Sequence, residues 1–180
     1  MTTKRIVTGH DSSGCSTIIS SGPLPGADEF THSRGFSAAV VWQTTPTPDI
    51  TDQPALPVQL VIPGVGGTTA LLVTFPPDSS FAADDFDPVA AARELCERLP
   101  GLGECFEPDN PGFHRTDSID YGVVLEGEIT LELDEGRISH LRQGDIVVQA
   151  GTRHAWRNTS HQPARLLFVL VGANRSQRPE

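Results

Sequence analysis

Three side chains in the C-terminal half of the chain have the types needed for metal or acid–base chemistry: His114, Asp120 and His154. Imidazole nitrogens and a carboxylate oxygen suit a divalent ion. Two histidines plus one carboxylate form the facial set of non-haem iron sites, which leaves positions open for substrate and oxygen. Without a metal, the same groups form a general acid/base pair. Thr116 and Ser118 stand between the first two and can hydrogen-bond a ligand or nearby backbone. Trp156 offers a ring that either stacks on an aromatic substrate or fills the core. Gln149 and Arg153 flank the loop before His154, and Asn158 reads as a turn-former. His10, His32, His140 and His161 lack such neighbours and read as packing or surface residues.

These residues sit on segments with a two-residue period. In an extended chain, residues two apart share a face. His114, Thr116, Ser118 and Asp120 therefore point one way, and Phe113, Arg115, Asp117, Ile119 and Tyr121 the other. Val123 to Leu125 runs into the turn Glu126-Gly127-Glu128, and Ile129 to Leu133 returns. Asp134-Glu135-Gly136 turns the chain again, followed by Arg137 to Leu141, Gln143-Gly144-Asp145 and Ile146 to Val148. His154, Trp156 and Asn158 share a face of the next segment. Ala164 to Val171 is apolar on both faces, as a buried central strand requires. Short strands punctuated by Gly and Asp predict an antiparallel sandwich or barrel.

With these residues in view, the stretch from 112 to 171 resembles the cupin superfamily. The first cupin motif has two histidines one residue apart, a glutamate four residues later, and a glycine seven beyond. His114 and Gly127 match, Asp120 takes the glutamate position, and Thr116 takes the second-histidine position. Of the second motif, Gly144, Gly151, His154 and Asn158 match, with Gln149 in place of proline and the first gap one residue short. The resemblance implies a jelly-roll barrel holding one divalent metal ion on His114, Asp120 and His154, iron or manganese ahead of zinc or nickel. From the residues themselves, Thr116, Ser118, Gln149 and Trp156 are the candidate substrate contacts. The subgroup it resembles includes proteins named as oxidoreductases or decarboxylases beside aromatic-catabolism or polyketide genes. A homodimer is also implied, with the N-terminal strands and residues 44–68 as the contact.

The remaining chain fits a single all-β domain over 1–180 with one helical insertion. A length of 180 residues is ample for one core and short for two. Residues 1–75 contribute extra strands that thicken the barrel: Lys4 to Thr8 with Cys15 to Ser20, then Phe36 to Gln43 and Thr69 to Phe75. Residues 44–68, rich in Pro, Thr and Gly, form a long loop or arm. In the insertion 76–111, Asp87 caps a helix, Pro88 opens it, and Val89, Ala92, Leu95 or Cys96, and Leu99 mark its apolar face. That insertion is placed to act as a lid, and residues 172–180 read as a flexible tail. A net charge of −10 argues against nucleic acid or an anionic membrane as partner. The absence of long apolar runs and of C-x-x-C spacing predicts a cytoplasmic protein with reduced Cys15, Cys96 and Cys105, a Cys96–Cys105 bridge remaining open. Three function classes follow. First comes a metal-dependent oxygenase or decarboxylase-type lyase on a small aromatic, keto-acid or polyketide-type molecule. Second is a metal-free isomerase or cyclase using a His–Asp pair, and third a non-catalytic ligand-binding module.

Overall fold

The computed structural model describes residues 3–50 and 60–176. Residues 51–59 of the expected arm and 177–180 of the expected tail lie outside the described residues. Two antiparallel sheets face one another. The larger is built from β3 (Ser37–Thr44), β4 (Thr68–Phe75), β10 (Ala164–Gly172), β5 (Ser118–Glu126) and β8 (Ile146–Ala150), in that spatial order. The smaller places β6 (Glu128–Leu133) between β7 (Ile138–Arg142) and β9 (His154–Arg157). Ala164–Gly172 is the central strand its two-sided apolarity predicts, hydrogen-bonded to β4 on one side and β5 on the other.

The core forms because alternate residues of both sheets converge. Ala38, Leu71, Val73, Val124, Leu166, Phe168 and Leu170 from the large sheet pack with Ile129 from the small one. The β5–β6 turn that joins the sheets depends on Gly127, whose φ is 76°. A Cβ there would lie 2.6 Å from the Pro163 carbonyl oxygen, so the turn has no room for a side chain.

Three expectations change. First, β3 and β4 do join the barrel, but β1 (Lys4–His10) and β2 (Ser16–Pro23) pair only with each other as a separate hairpin. Arg5 ties that hairpin to the barrel by donating to the Val41 carbonyl at 3.2 Å. Second, the helix α1 (Pro88–Arg98) is capped by Asp87 as expected, its carboxylate accepting from the Val89 and Ala90 amides. Its buried face, however, is Ala91 and Glu94, with Leu95 and Leu99 against the core, while Val89 is 78% exposed and Ala92 is also exposed. The reason is Glu94. Its carboxylate accepts the Thr31 and His32 amides, both at 2.7 Å, and pins residues 31–32 to the helix. Burial pushes the Glu94 carboxyl upward, but those two amides and Arg98 outweigh it and hold it below the usual range. Third, residues 173–176 are anchored: Arg175 pairs with Asp117 at 2.6 Å and donates to the Thr116 and Gly151 carbonyls.

All three cysteines are free, so no Cys96–Cys105 bridge forms. Burial pushes both of those thiols up, away from the reactive thiolate. Among the described residues, no helix is long and apolar enough to cross a membrane.

Candidate functional site

The barrel interior changes character along its length. Across the large sheet, the directly opposed residues Val73, Leu166 and Val124 form an apolar row. Further along the same face, Thr69, Leu170, Asp120 and Gln149 form another, with Gln43 of β3 opposite Thr69. Directly opposed residues of antiparallel strands share a face, so this second row brings a carboxylate and two amides to one end of the barrel. Ser118 lies beyond Asp120 on β5, on the same face.

The two histidines arrive at that end together. His114 precedes β5 and His154 opens β9, yet their backbones exchange hydrogen bonds of 2.9 and 3.0 Å. The ring centroids stand 4.3 Å apart. Each ring is oriented alike: Nδ1 of His114 meets the Gly112 carbonyl at 3.2 Å, and Nδ1 of His154 meets the Thr152 carbonyl at 3.0 Å. A carbonyl only accepts, so each Nδ1 carries the proton and each neutral ring keeps its lone pair on Nε2. Gly112 presents its carbonyl from a φ of 82°. Burial, together with the neighbouring His154, pushes the His114 pKa down to about 4. Burial lowers that of His154 as well. Both rings are therefore uncharged at neutral pH.

Asp120 is buried but faces hydroxyls. Ser118 Oγ donates to Asp120 Oδ1 at 2.6 Å and lies 2.9 Å from Thr116 Oγ1, which reaches Asp120 Oδ2 at a long 3.5 Å. Burial raises the Asp120 pKa, and the two hydroxyls only partly offset it. Gln149, opposite Asp120, is 4% exposed. Its Oε1 accepts from Thr152 at 2.7 Å, whereas its Nε2 is buried with no partner.

Aromatic rings enclose the histidines. Phe106 stacks on His114 at 4.3 Å. Trp156 stands 5.8 Å from His154 and also packs on Phe168 and Phe75. Phe106 comes from the 76–111 insertion, a contribution that no spacing in the sequence announces. Arg153 does not reach the interior. It lies over the Phe113 ring at 3.9 Å and pairs with Glu107 and Asp134. An open groove of about 750 Å³ lies at the opposite end of β5 and β9, between Gly127, Arg142 and His161. The buried acid–base groups are not there, so the histidine end is the functional candidate.

Asn158 is a strut. Its Nδ2 donates to the Phe75 and Gln162 carbonyls, at 3.0 and 2.8 Å, and its Oδ1 accepts from Ser160. At 1% exposure these groups have no water to replace them. Asn158→Leu is expected to cost about 1–3 kcal/mol of stability in urea denaturation while leaving the His114 and His154 ring resonances in place. A shift of those resonances comparable to the stability loss would show that Asn158 belongs to the site.

Fold and site together define a small antiparallel β-barrel with a polar, histidine-bearing interior at one end. Residues 104–170 match the cupin domain family. The chain is 37% identical over 175 residues to the phomopsin biosynthesis cluster protein D of Diaporthe leptostromiformis, covering 96% of this chain and 79% of that one. It is 47% identical over 64 residues to the cupin-domain-containing oxidoreductase fogC of Aspergillus ruber, covering 34% and 32% of the two chains. The chain belongs to the cupin family.

The divalent ion implied by cupin resemblance meets a mixed donor set. His114 and His154 fit, because each Nδ1 is fixed by a carbonyl and each Nε2 lone pair is available. Asp120 lies at the same end with Ser118 donating to its Oδ1 at 2.6 Å, and among the described residues no group of three His, Cys, Asp or Glu side chains is placed to hold a metal.

Proposed function

We propose that this protein is a small-molecule enzyme of the cupin family that works by proton transfer, as an isomerase or cyclase. The observation that carries this reading is the pairing of two neutral, buried imidazoles, each with its Nε2 lone pair available, at the same end of the barrel as the buried Asp120 carboxyl. A neutral imidazole accepts a proton, and a carboxyl with a raised pKa supplies one. The net reaction moves a proton within the substrate and needs no external oxidant or reductant. Phe106 and Trp156 supply flat apolar walls that favour a planar substrate. The biosynthesis-cluster names of the relatives support a role in making a small molecule.

A metal-dependent oxygenase or decarboxylase-type reaction is the second reading. It is favoured by the two available Nε2 lone pairs and by the oxidoreductase names of the relatives that match the motif region. One experiment separates the two. Histidine-labelled protein, stripped of metal, is followed by ¹⁵N NMR across pH, then offered Fe(II), Mn(II), Zn(II) and Ni(II) one at a time. Proton transfer predicts both rings in the Nδ1–H tautomer, titrating below the ordinary histidine range, with no stoichiometric ion retained. A single tightly held ion that is lost in His154→Ala and held more tightly in Thr116→His establishes the second reading instead.

A further inference from the structure

We propose that Gln149 is the substrate-recognition group of this site, its side-chain amide N–H donating to a carbonyl oxygen, and that the molecule taken is therefore an uncharged carbonyl compound. The inference deepens the proton-transfer reading and rests on it only for the chemistry that follows binding.

Gln149 carries an unmet donor. Gln149 is 4% exposed, and its Nε2 is buried with no partner, a state that costs stability unless something else fills it. Thr152 Oγ1 donates to its Oε1 at 2.7 Å, which leaves the amide N–H as the end without a partner. The donor stands directly across the sheet from Asp120, on the inward face. Asp120 does not satisfy it: the Gln149 Nε2 has no hydrogen-bond partner, the Asp120 carboxyl included. An oxygen acceptor carried by a ligand is the group that completes the pairing.

Charge decides which acceptor. Three arginines around this end of the barrel are already committed: Arg153 to Glu107 and Asp134, Arg157 to Glu132, and Arg175 to Asp117 and two carbonyls. A carboxylate ligand would be buried beside Asp120 with none of these cations free to pair with it. A neutral ketone or aldehyde oxygen accepts from the amide without that cost. Once it is bound, transfer of an adjacent C–H proton to a histidine Nε2 shifts the C–H electron pair into a C=C bond. The C=O π pair moves onto the oxygen, which becomes an enolate oxygen hydrogen-bonded by Gln149, and the histidine holds the proton as an imidazolium.

Three probes of one shape test this: acetophenone, benzoate and ethylbenzene. Each is titrated into the full chain while the Gln149 side-chain N–H is followed by NMR. Acetophenone is expected to shift that N–H and to bind about tenfold or more tighter than the other two. In Gln149→Leu, and in Gln149→Glu, which keeps the shape but loses the donor, acetophenone should fall to the ethylbenzene level. Unchanged ethylbenzene binding in those variants shows the site intact. Benzoate binding tighter than acetophenone, both variants keeping wild-type acetophenone affinity, or no acetophenone binding at all would each overturn the proposal. Deuterium uptake into the acetophenone methyl group in D₂O, lost in His154→Ala, reads the proton transfer separately. Gln149-dependent binding without any deuterium uptake leaves this inference standing and removes the acid–base reading.

Discussion

Leu166→Ala is expected to lower the unfolding free energy by about 2–5 kcal/mol, the cost of a large-to-small change in a filled core. Leu166 is 0% exposed on the central strand, opposite Val73 on one side and Val124 on the other, and belongs to the cluster joining both sheets. No flexible neighbour can collapse into the gap, because hydrogen-bonded strands hold both sides in register. Ile146→Ala is the control. Ile146 is 69% exposed on β8, at the end of the same sheet, and its truncation is expected to stay within about 0.5 kcal/mol. Urea denaturation at neutral pH compares the two. Equal losses would mean that the interior between the sheets is not a packed core.

The second large effect is in pH. His114 is held at about 4 in the folded protein, against an ordinary value of 6.5. Between those values the unfolded chain binds a proton that the folded protein refuses. Stability therefore rises with pH across that window and falls on acidification through it, by about 3 kcal/mol for His114 alone. His154 is lowered too and acts in the same direction. Asp120 opposes both. Its raised pKa means that the folded state holds a proton the unfolded chain has already released, so its contribution is present at low pH and lost as pH rises through the folded value. His114→Gln should flatten the dependence between pH 4.5 and 7, and Asp120→Asn should steepen it. Urea midpoints for the three proteins across that range decide the point, since the other carboxylates are common to all. A His114→Gln profile parallel to wild type would show that His114 is not held neutral by burial.

Alternation determined much of this protein before any contact was known. It placed Thr116, Ser118 and Asp120 on a buried face and Arg115, Asp117 and Ile119 on an exposed one, because side chains of an extended chain must alternate. Two-sided apolarity made Ala164–Gly172 the central strand, and Asp87-Pro88 fixed the helix start through a side-chain cap and a preset φ. The cupin motif positions selected His114 and His154 as partners, and they do meet.

What the tertiary structure alone decided depends on contacts between residues far apart in sequence. The burial of the helix was set by the amides of Thr31 and His32, which need the Glu94 carboxylate; the apolar spacing of Val89 and Ala92 contains nothing about them. The hairpin β1–β2 stays apart from the barrel sheets, and a two-residue period looks the same in either place. Phe106 over His114, and the unpaired Nε2 of Gln149 opposite Asp120, arise only when distant strands and the 76–111 insertion close over one end of the barrel. Burial then makes the two imidazoles neutral and the carboxyl hard to ionise, because a charge inside that closure has lost its water.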